Sequence, residues 1–351
     1  MSSHQPTGVF QTLEIVSNEH IIIRDKLYGE HNITEPVLIH LLQSPELSRL
    51  KGICQHGVMT FLGYGPKVTR FEHSVGALLL VRKVGASVEE QVAALLHDIS
   101  HTSLSHVVDD ALAKPGEGSY HEVHKSRYLE NTQLPQMLIQ HGLEDLKALE
   151  EELFPLVERP APQLCADRLD YALRDALAFE KLGLEEVQSV FRSLKAFPSA
   201  SSPERLLVLE DAQLALVLSR AYIATDRDVW SHRSQADLSK RTGQVIGDLV
   251  NSGRVKEEAL WNSSDEEFWA LLRRQATPEI LHEMNRLETE GLPDENKLLL
   301  PYGTKIRTID PDIWQATQEG VRPLSTVLPE WGIERQQYIL SRDLTREKYP
   351  N

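Results

Sequence analysis

The chain has 351 residues, 41% of them hydrophobic, which suits one large core or two closely packed ones and argues against disorder. Its 52 acidic and 37 basic side chains leave a formal charge of −15, which disfavours a broad electrostatic footprint on nucleic acid or an anionic membrane surface. Two cysteines, Cys54 and Cys165, cannot found a disulfide framework. No apolar run approaches the ~20 residues of a membrane span, and the start at Met1 carries no charged and apolar leader. A cytoplasmic protein is expected.

Ile21-Ile22-Ile23 running into Arg24–Gly29 predicts a short strand and a turn. Helical spacing follows at Val37, Leu38, Leu41 and Leu42, and Pro45 opens a second helix through Leu47 and Leu50. Gly57 to Pro66 reads as loop. Phe71, Val75, Leu78 and Leu79 mark the next helix, and Val88, Val92, Leu95 and Ile99 another, with His97 and Asp98 near its end. Pro160 and Pro162 punctuate before a helix holding Asp167. A Ser/Pro segment from Phe197 to Pro203 divides the chain, so a core over 1–195 and a helical region over 196–351 are expected. Residues 205–210 read as a strand, 211–250 as a long helical stretch, and Leu298 to Thr308 as a small hairpin. The fold class is mainly α, with minor short strands.

Six of the fourteen histidines fall between His73 and His124. His97-Asp98 follows the apolar run Ala93-Ala94-Leu95-Leu96, where an ionised carboxylate is costly unless paired or metal-bound. On its own the dipeptide is a weak signal. His101 lies four residues on and shares a face with His97 if the helix persists, and His106 and Asp109 follow. In the helix after Pro162, Leu169, Ala172, Leu173 and Ala176 form an apolar face, while Asp167, Tyr171, Arg174 and Asp175 form a polar stripe. That stripe fits a solvated surface or a cleft equally well. Imidazoles and carboxylates together are the ligand set of a catalytic divalent metal. His20, His31, His40, His141 and His282 read as ordinary structural or surface histidines.

Together, His73, His97-Asp98 and Asp167 follow an H…HD…D pattern. It resembles the HD-domain metal-dependent phosphohydrolases, closest to the dNTP triphosphohydrolase branch. Arg70-Phe71-Glu72-His73-Ser74, the run from His97 to Asp109, and Asp167-x-x-Asp170-Tyr171-x-x-Arg174-Asp175 are similar to that branch, over about residues 20 to 180. The resemblance implies a helical HD-domain bundle and one divalent ion, Mn, Fe, Co or Zn before Mg, held by His73, His97, Asp98 and Asp167. It implies a catalytic set of His101, Asp109 and His121, with His121 preferred to His124 because His121-Glu122 fits the family's pair. Arg70, His106 and Arg168 would contact phosphate, Gln55 the sugar, and Tyr171 and Asp175 sugar or base. His56 stands where the branch has an apolar residue, so strict 2′-deoxy preference is not expected. Gln43 and Ser48 replace the acid and amide that read an activating guanine nucleotide in regulated members, so that activation is not expected either.

The implied activity is hydrolysis of a phosphoester or phosphoanhydride on a small nucleotide, a dNTP or a nucleoside phosphate, through metal-activated water. A homo-oligomer is expected on the same ground. The alternatives are a signalling- or cyclic-nucleotide phosphodiesterase and a nucleotide-sensing protein that binds without turnover.

Overall fold

The computed structural model describes residues 3–6 (backbone), 8–114, 116–315 and 320–348. It is mainly α-helical, with two small sheets. The first is an antiparallel meander of β1 (Ser3–Pro6), β2 (Gln11–Ser17), β3 (His20–Asp25) and β4 (Gly29–Ile33). In β3 the side chains of Ile21, Ile23 and Asp25 are buried and their neighbours less so, the period of a half-buried strand. The isoleucine run is thus one strand of four.

The central helix is Arg70–Lys83. It starts with a capping box: Thr69 accepts the Glu72 N–H, and the Glu72 carboxylate accepts the Thr69 N–H. Every residue from Arg70 to Val81 is buried, so the helix is packed on all sides rather than lying as an amphipathic surface element. Glu72, itself fully buried, also accepts the Phe10 N–H at 2.6 Å, and its carbonyl accepts from Gln11 Nε2 at 2.9 Å. The meander is thereby pinned to the first turn of this helix.

Helix Val88–Leu96, capped by Ser87, and helix Ala166–Ala178 pack against it. Gly76 makes the second packing possible. A Cβ there would lie 1.8 Å from Asp170 Oδ1 and 2.5 Å from Arg174 Nη2. The stretch from 211 to 250 is broken rather than continuous. Helix Ala212–Thr225 passes into a π-helical turn, Asp226–Trp230, and helix Arg233–Asn251 follows.

The second sheet has the order β5 (Leu194–Phe197), β6 (Leu206–Leu209), β7 (Asp312–Trp314) and β8 (Val321–Pro323), with β6 and β7 parallel. The expected strand at 205–210 is β6. The division at 195/196 falls inside β5. The hairpin expected over Leu298–Thr308 is not formed: only Leu300 makes an isolated bridge there, to Arg346. Short alternation did not suffice, because no neighbouring strand offers a ladder. Gly57 to Pro66 is also not all loop, since Val58–Phe61 forms one helical turn. Among the described residues no helix is long and apolar enough to cross a membrane.

Gly76→Ala should therefore cost about 3 kcal/mol or more, the upper end of overpacking penalties, because the added methyl meets a buried ion pair. Urea unfolding of the variant measures this, and a loss under 1 kcal/mol would contradict the packing described.

Candidate metal centre

His73 projects from the first turn of the central helix, and Asp167 from the first turn of Ala166–Ala178. His97 is the C-cap of Val88–Leu96, and Asp98 lies in the turn after it. The four side chains meet. His73 Nε2 lies 3.1 Å from His97 Nε2, 3.0 Å from Asp167 Oδ1 and 3.6 Å from Asp98 Oδ2. His97 Nε2 lies 3.5 Å from Asp167 Oδ1 and 3.8 Å from Asp98 Oδ2. Metal bonds of about 2.0–2.2 Å put neighbouring donor atoms roughly 3.0–3.6 Å apart, so His73, His97 and Asp167 have the dimensions of a first-row coordination shell, with Asp98 at its edge.

The hydrogen bonds behind the rings decide what faces inward. His97 Nδ1 is 2.7 Å from the Ala94 carbonyl, an acceptor only, so Nδ1 carries the proton and Nε2 a lone pair. His73 Nδ1 lies 2.8 Å from Asp170 Oδ2 and donates to it, which leaves its Nε2 a lone pair as well. Two lone pairs and two carboxylate oxygens then converge, with Arg70 reaching only the Asp98 oxygen, at 2.6 Å. Only a cation resolves that arrangement, so the residues fit a divalent metal.

With protons as the only cations, the same field acts on them. Burial would lower the His73 pKa, but its hydrogen bonds to Asp167 and Asp170 overcome this and push it up to about 10. Burial likewise opposes ionisation of Asp98, yet Arg70 and the two imidazoles hold its carboxyl well below the usual range. Asp167 is held low by His73 and His97 against the same burial penalty.

Beside the centre, Arg70 donates to Asp98 Oδ2 at 2.6 Å, to Ser105 Oγ at 3.1 Å and to the Gln55 carbonyl at 3.3 Å. The helix ends at Leu96, so His101 does not share a helical face with His97. It reaches the centre from a turn instead, its Nε2 3.3 Å from Asp98 Oδ1. His101 and His121 stack with ring centroids 3.5 Å apart, and His106 stands edge-on to both. Burial, then the neighbouring His106, lowers the His121 pKa to about 3, so this imidazole is neutral. Asp109 is not paired with His121. Its Oδ2 is 2.9 Å from His106 Nδ1 and its Oδ1 accepts the Tyr120 N–H at 2.7 Å. His124 packs on Tyr120 and Trp261.

Further along the Asp167 stripe, the Tyr171 ring centroid is 6.3 Å from that of His73, and its hydroxyl is 2.6 Å from that of Tyr222. Asp175 accepts from His56 Nε2 at 3.0 Å and from Trp230 Nε1 at 2.8 Å. Gln55 Oε1 is buried without a hydrogen-bond partner among the described residues. Arg168 is directed elsewhere: its Nη1 donates to the carbonyls of Arg159 and Gln163, and its Nη2 lies 3.6 Å from Glu158.

Several residues of the site carried no role in the sequence reading. Asp170 orients His73 and is held by Arg174 and by the Tyr28 hydroxyl at 2.8 Å. The spacing of Asp170 and Arg174, one helical turn apart, was the available signal. Glu158 was missed altogether. Burial, reinforced by the charge of Asp167, raises its pKa to about 7, and Glu158, Cys165 and Asp167 form a second close group behind the centre.

Because His73 holds its proton up to about pH 10, metal loading at pH 7.5 must displace it. Calorimetric titration with Mn²⁺ in buffers of different ionisation enthalpy should report release of about one proton per site, and none would contradict the lone-pair assignment. Asp170→Asn should weaken metal binding about 10- to 100-fold, read by the same titration.

A family model for the HD domain matches residues 70–175. The chain is 60% identical over 342 residues to the metal-dependent phosphohydrolase cns2 of Cordyceps militaris, covering 97% of this chain and 99% of that protein. It is 30% identical over 164 residues to the human deoxynucleoside triphosphate triphosphohydrolase SAMHD1, covering 40% of this chain and 26% of that protein. A solved structure of a hypothetical protein from Aquifex aeolicus shares the fold with a TM-score of 0.64 at 17% identity, covering 92% of this chain and 99% of that one. Converging imidazole and carboxylate groups that could hold a metal, the HD match and 60% identity over nearly the full length to a metal-dependent phosphohydrolase agree, and the chain belongs to the HD-domain family of metal-dependent phosphohydrolases.

Proposed function

We propose that this phosphohydrolase acts on a nucleotide, cleaving a phosphoester or phosphoanhydride with the phosphate at the His73–His97–Asp98–Asp167 centre. The observation that carries this reading is the continuation of the Asp167 stripe into aromatic and polar side chains. Tyr171 lies beside His73, Trp230 stands perpendicular to it at 5.1 Å, and Gln55 offers an unpartnered amide oxygen. Aromatic faces suit a base, and a fixed amide suits a sugar hydroxyl. The likeness to a deoxynucleoside triphosphate triphosphohydrolase supports the same substrate class.

A divalent ion on the four ligands supplies Lewis acidity, acidifying water and offsetting charge on the phosphoryl group. The nitrogen and oxygen donor set favours Mn²⁺, Fe²⁺, Co²⁺ or Zn²⁺ over Mg²⁺. Arg70, fixed by Asp98, Ser105 and the Gln55 carbonyl, lends positive charge at the phosphate without moving. Arg168 would reach a phosphate only by giving up its two carbonyls, so Arg70 and His106 are the nearer contacts. Delivery of a proton to the leaving oxygen suits His106, the imidazole that Asp109 carries. His101 and His121, stacked against each other, line the same wall.

A panel of ribo- and deoxynucleotides with Mn²⁺ or Co²⁺, read by ³¹P NMR, tests this. Tripolyphosphate marks triphosphate release, and orthophosphate marks removal of single phosphates. Asp167→Ala should abolish metal retention and turnover together, a loss of about 10³-fold or more. Hydrolysis of p-nitrophenyl phosphate with no nucleotide turned over would leave the family intact and defeat the nucleotide reading.

A further inference from the structure

We infer that the Leu260–Asp265 segment, far outside the stretch matched by the HD model, sets the geometry of the active-site loops, with Asp265 as the positioning residue that ties them together. Asp265 is 1% exposed. Its Oδ2 accepts the Cys54 N–H at 2.7 Å, and its Oδ1 accepts the Leu104 N–H at 2.7 Å. Each oxygen therefore takes one loop. The first loop leads directly to Gln55 and His56, and the second lies between His101 and His106.

The two loops are joined at a second point. Ser105 Oγ donates to the Cys54 carbonyl at 2.7 Å and accepts from Arg70 Nε at 3.1 Å. Arg70 in turn holds Asp98 and the Gln55 carbonyl. From Asp265 to Asp98 the path thus runs by a hydrogen bond to Leu104, the peptide link to Ser105, and hydrogen bonds from Arg70 to Ser105 and to Asp98. Close approach reinforces it: a Cβ on Gly57 would lie 2.5 Å from the Leu104 carbonyl oxygen.

The second loop needs such a brace. Leu104 and Ser105 have φ of 59° and 52°, a left-handed conformation that side chains with a Cβ disfavour and that persists only where the surroundings over-determine it. The segment around Asp265 supplies those surroundings. Ser103 donates its N–H to the Leu260 carbonyl at 2.8 Å and its hydroxyl to the Ser263 carbonyl at 2.7 Å. Trp261 Nε1 donates to the Ser100 carbonyl at 2.9 Å. The left-handed pair turns the chain so that the His101 and His106 rings meet at 88° with centroids 4.9 Å apart. Carboxylate acceptors on backbone N–H groups are among the stronger neutral-to-charged hydrogen bonds, and no neutral side chain of this size offers two acceptor oxygens.

This inference rests on the phosphohydrolase activity and not on the nucleotide reading, so its test uses p-nitrophenyl phosphate beside the nucleotide panel, with the full-length, metal-loaded protein. Asp265→Asn keeps one acceptor oxygen but turns an NH₂ donor towards the other loop's N–H. Ser105→Ala removes the second tie. Each variant should lose kcat about 10- to 100-fold with bound metal unchanged, the size of effect that a small displacement of catalytic groups produces. The double variant should lose no more than the worse single one, because both act on one coupled unit. Losses that multiply, or a D265N protein that is less stable yet keeps wild-type kcat and KM per folded molecule, would overturn the inference. If D265N does not fold, Ser103→Ala takes its place in the cycle with the same two outcomes. Hydrogen exchange reads the brace without turnover: D265N should speed exchange across 53–57 and 102–106 while the Arg70–Lys83 helix stays protected, and unchanged loops would equally overturn it.

Discussion

Four acceptors facing one another in a buried space are an unstable arrangement unless a positive charge sits among them, and much of this structure serves to keep them there. Two of the acceptors are imidazole nitrogens whose lone pairs are fixed by what the opposite ring nitrogens touch, Ala94 O for His97 and Asp170 for His73. Asp170 cannot do this alone. It is held by Arg174 and Tyr28, Arg174 also reaches Asp25 Oδ2 at 3.1 Å, and Gln11 donates to the same Asp25 oxygen at 2.6 Å. A buried carboxylate is tolerated only when its lone pairs are occupied, so each member needs the next. The network ends in β2 and β3, which makes the N-terminal meander the outermost support of a metal ligand.

Local chemistry made much of this legible in the sequence. The apolar run before His97-Asp98 and the spacing of Asp167, Tyr171 and Asp175 report on neighbours within a turn or two, and the structure brings the corresponding groups to one centre and one stripe. Where the reading failed, the cause was usually distant. A face shared by His97 and His101 depends on the helix persisting, and nothing in the segment announces that it stops at Leu96; the turn is fixed by partners some 160 residues away in sequence, such as Trp261 on the Ser100 carbonyl. The pairing of β6 with β7 is parallel and spans about a hundred residues, so neither three- or four-residue strand carries enough pattern to reveal it. The resemblance puts Asp109 in one catalytic set with His101 and His121, and in the structure its carboxylate is taken up by the His106 ring one helical turn back.

The stretch matched by the HD model and the rest of the chain contribute differently to the centre. All four side chains of the candidate centre lie within 70–175, whereas Asp25, Tyr28 and Asp265 lie outside it: Asp25 holds Arg174, Tyr28 holds Asp170, and Asp265 holds the backbone of Cys54 and Leu104. A segment cut to the matched residues would keep Asp170, Arg174 and the Ala94 carbonyl behind the two imidazoles but lose Asp25 and Tyr28, which hold Arg174 and Asp170 in turn. Similarity to cns2 extends over both parts, while similarity to SAMHD1 is confined to 40% of this chain.

That division bears on how specificity is built. Tyr171 and Asp175 continue the Asp167 stripe away from the candidate centre, and each is gripped from outside the matched stretch. Tyr222 meets the Tyr171 hydroxyl, while His56 and Trp230 occupy the two oxygens of Asp175. Trp230 closes a π-helical turn whose Asp226 carboxylate is itself tied to Tyr338 on the C-terminal helix at 2.7 Å. A π turn places its side chains at angles that a regular helix does not offer, and such turns persist where packing holds them. Phosphate chemistry can therefore stay fixed by the metal ligands while the wall facing the rest of the substrate is reshaped by residues from three other parts of the chain. In a scaffold arranged this way, likeness in the ligand motif alone points to metal-dependent phosphate hydrolysis and leaves the molecule that carries the phosphate to the neighbours of that motif.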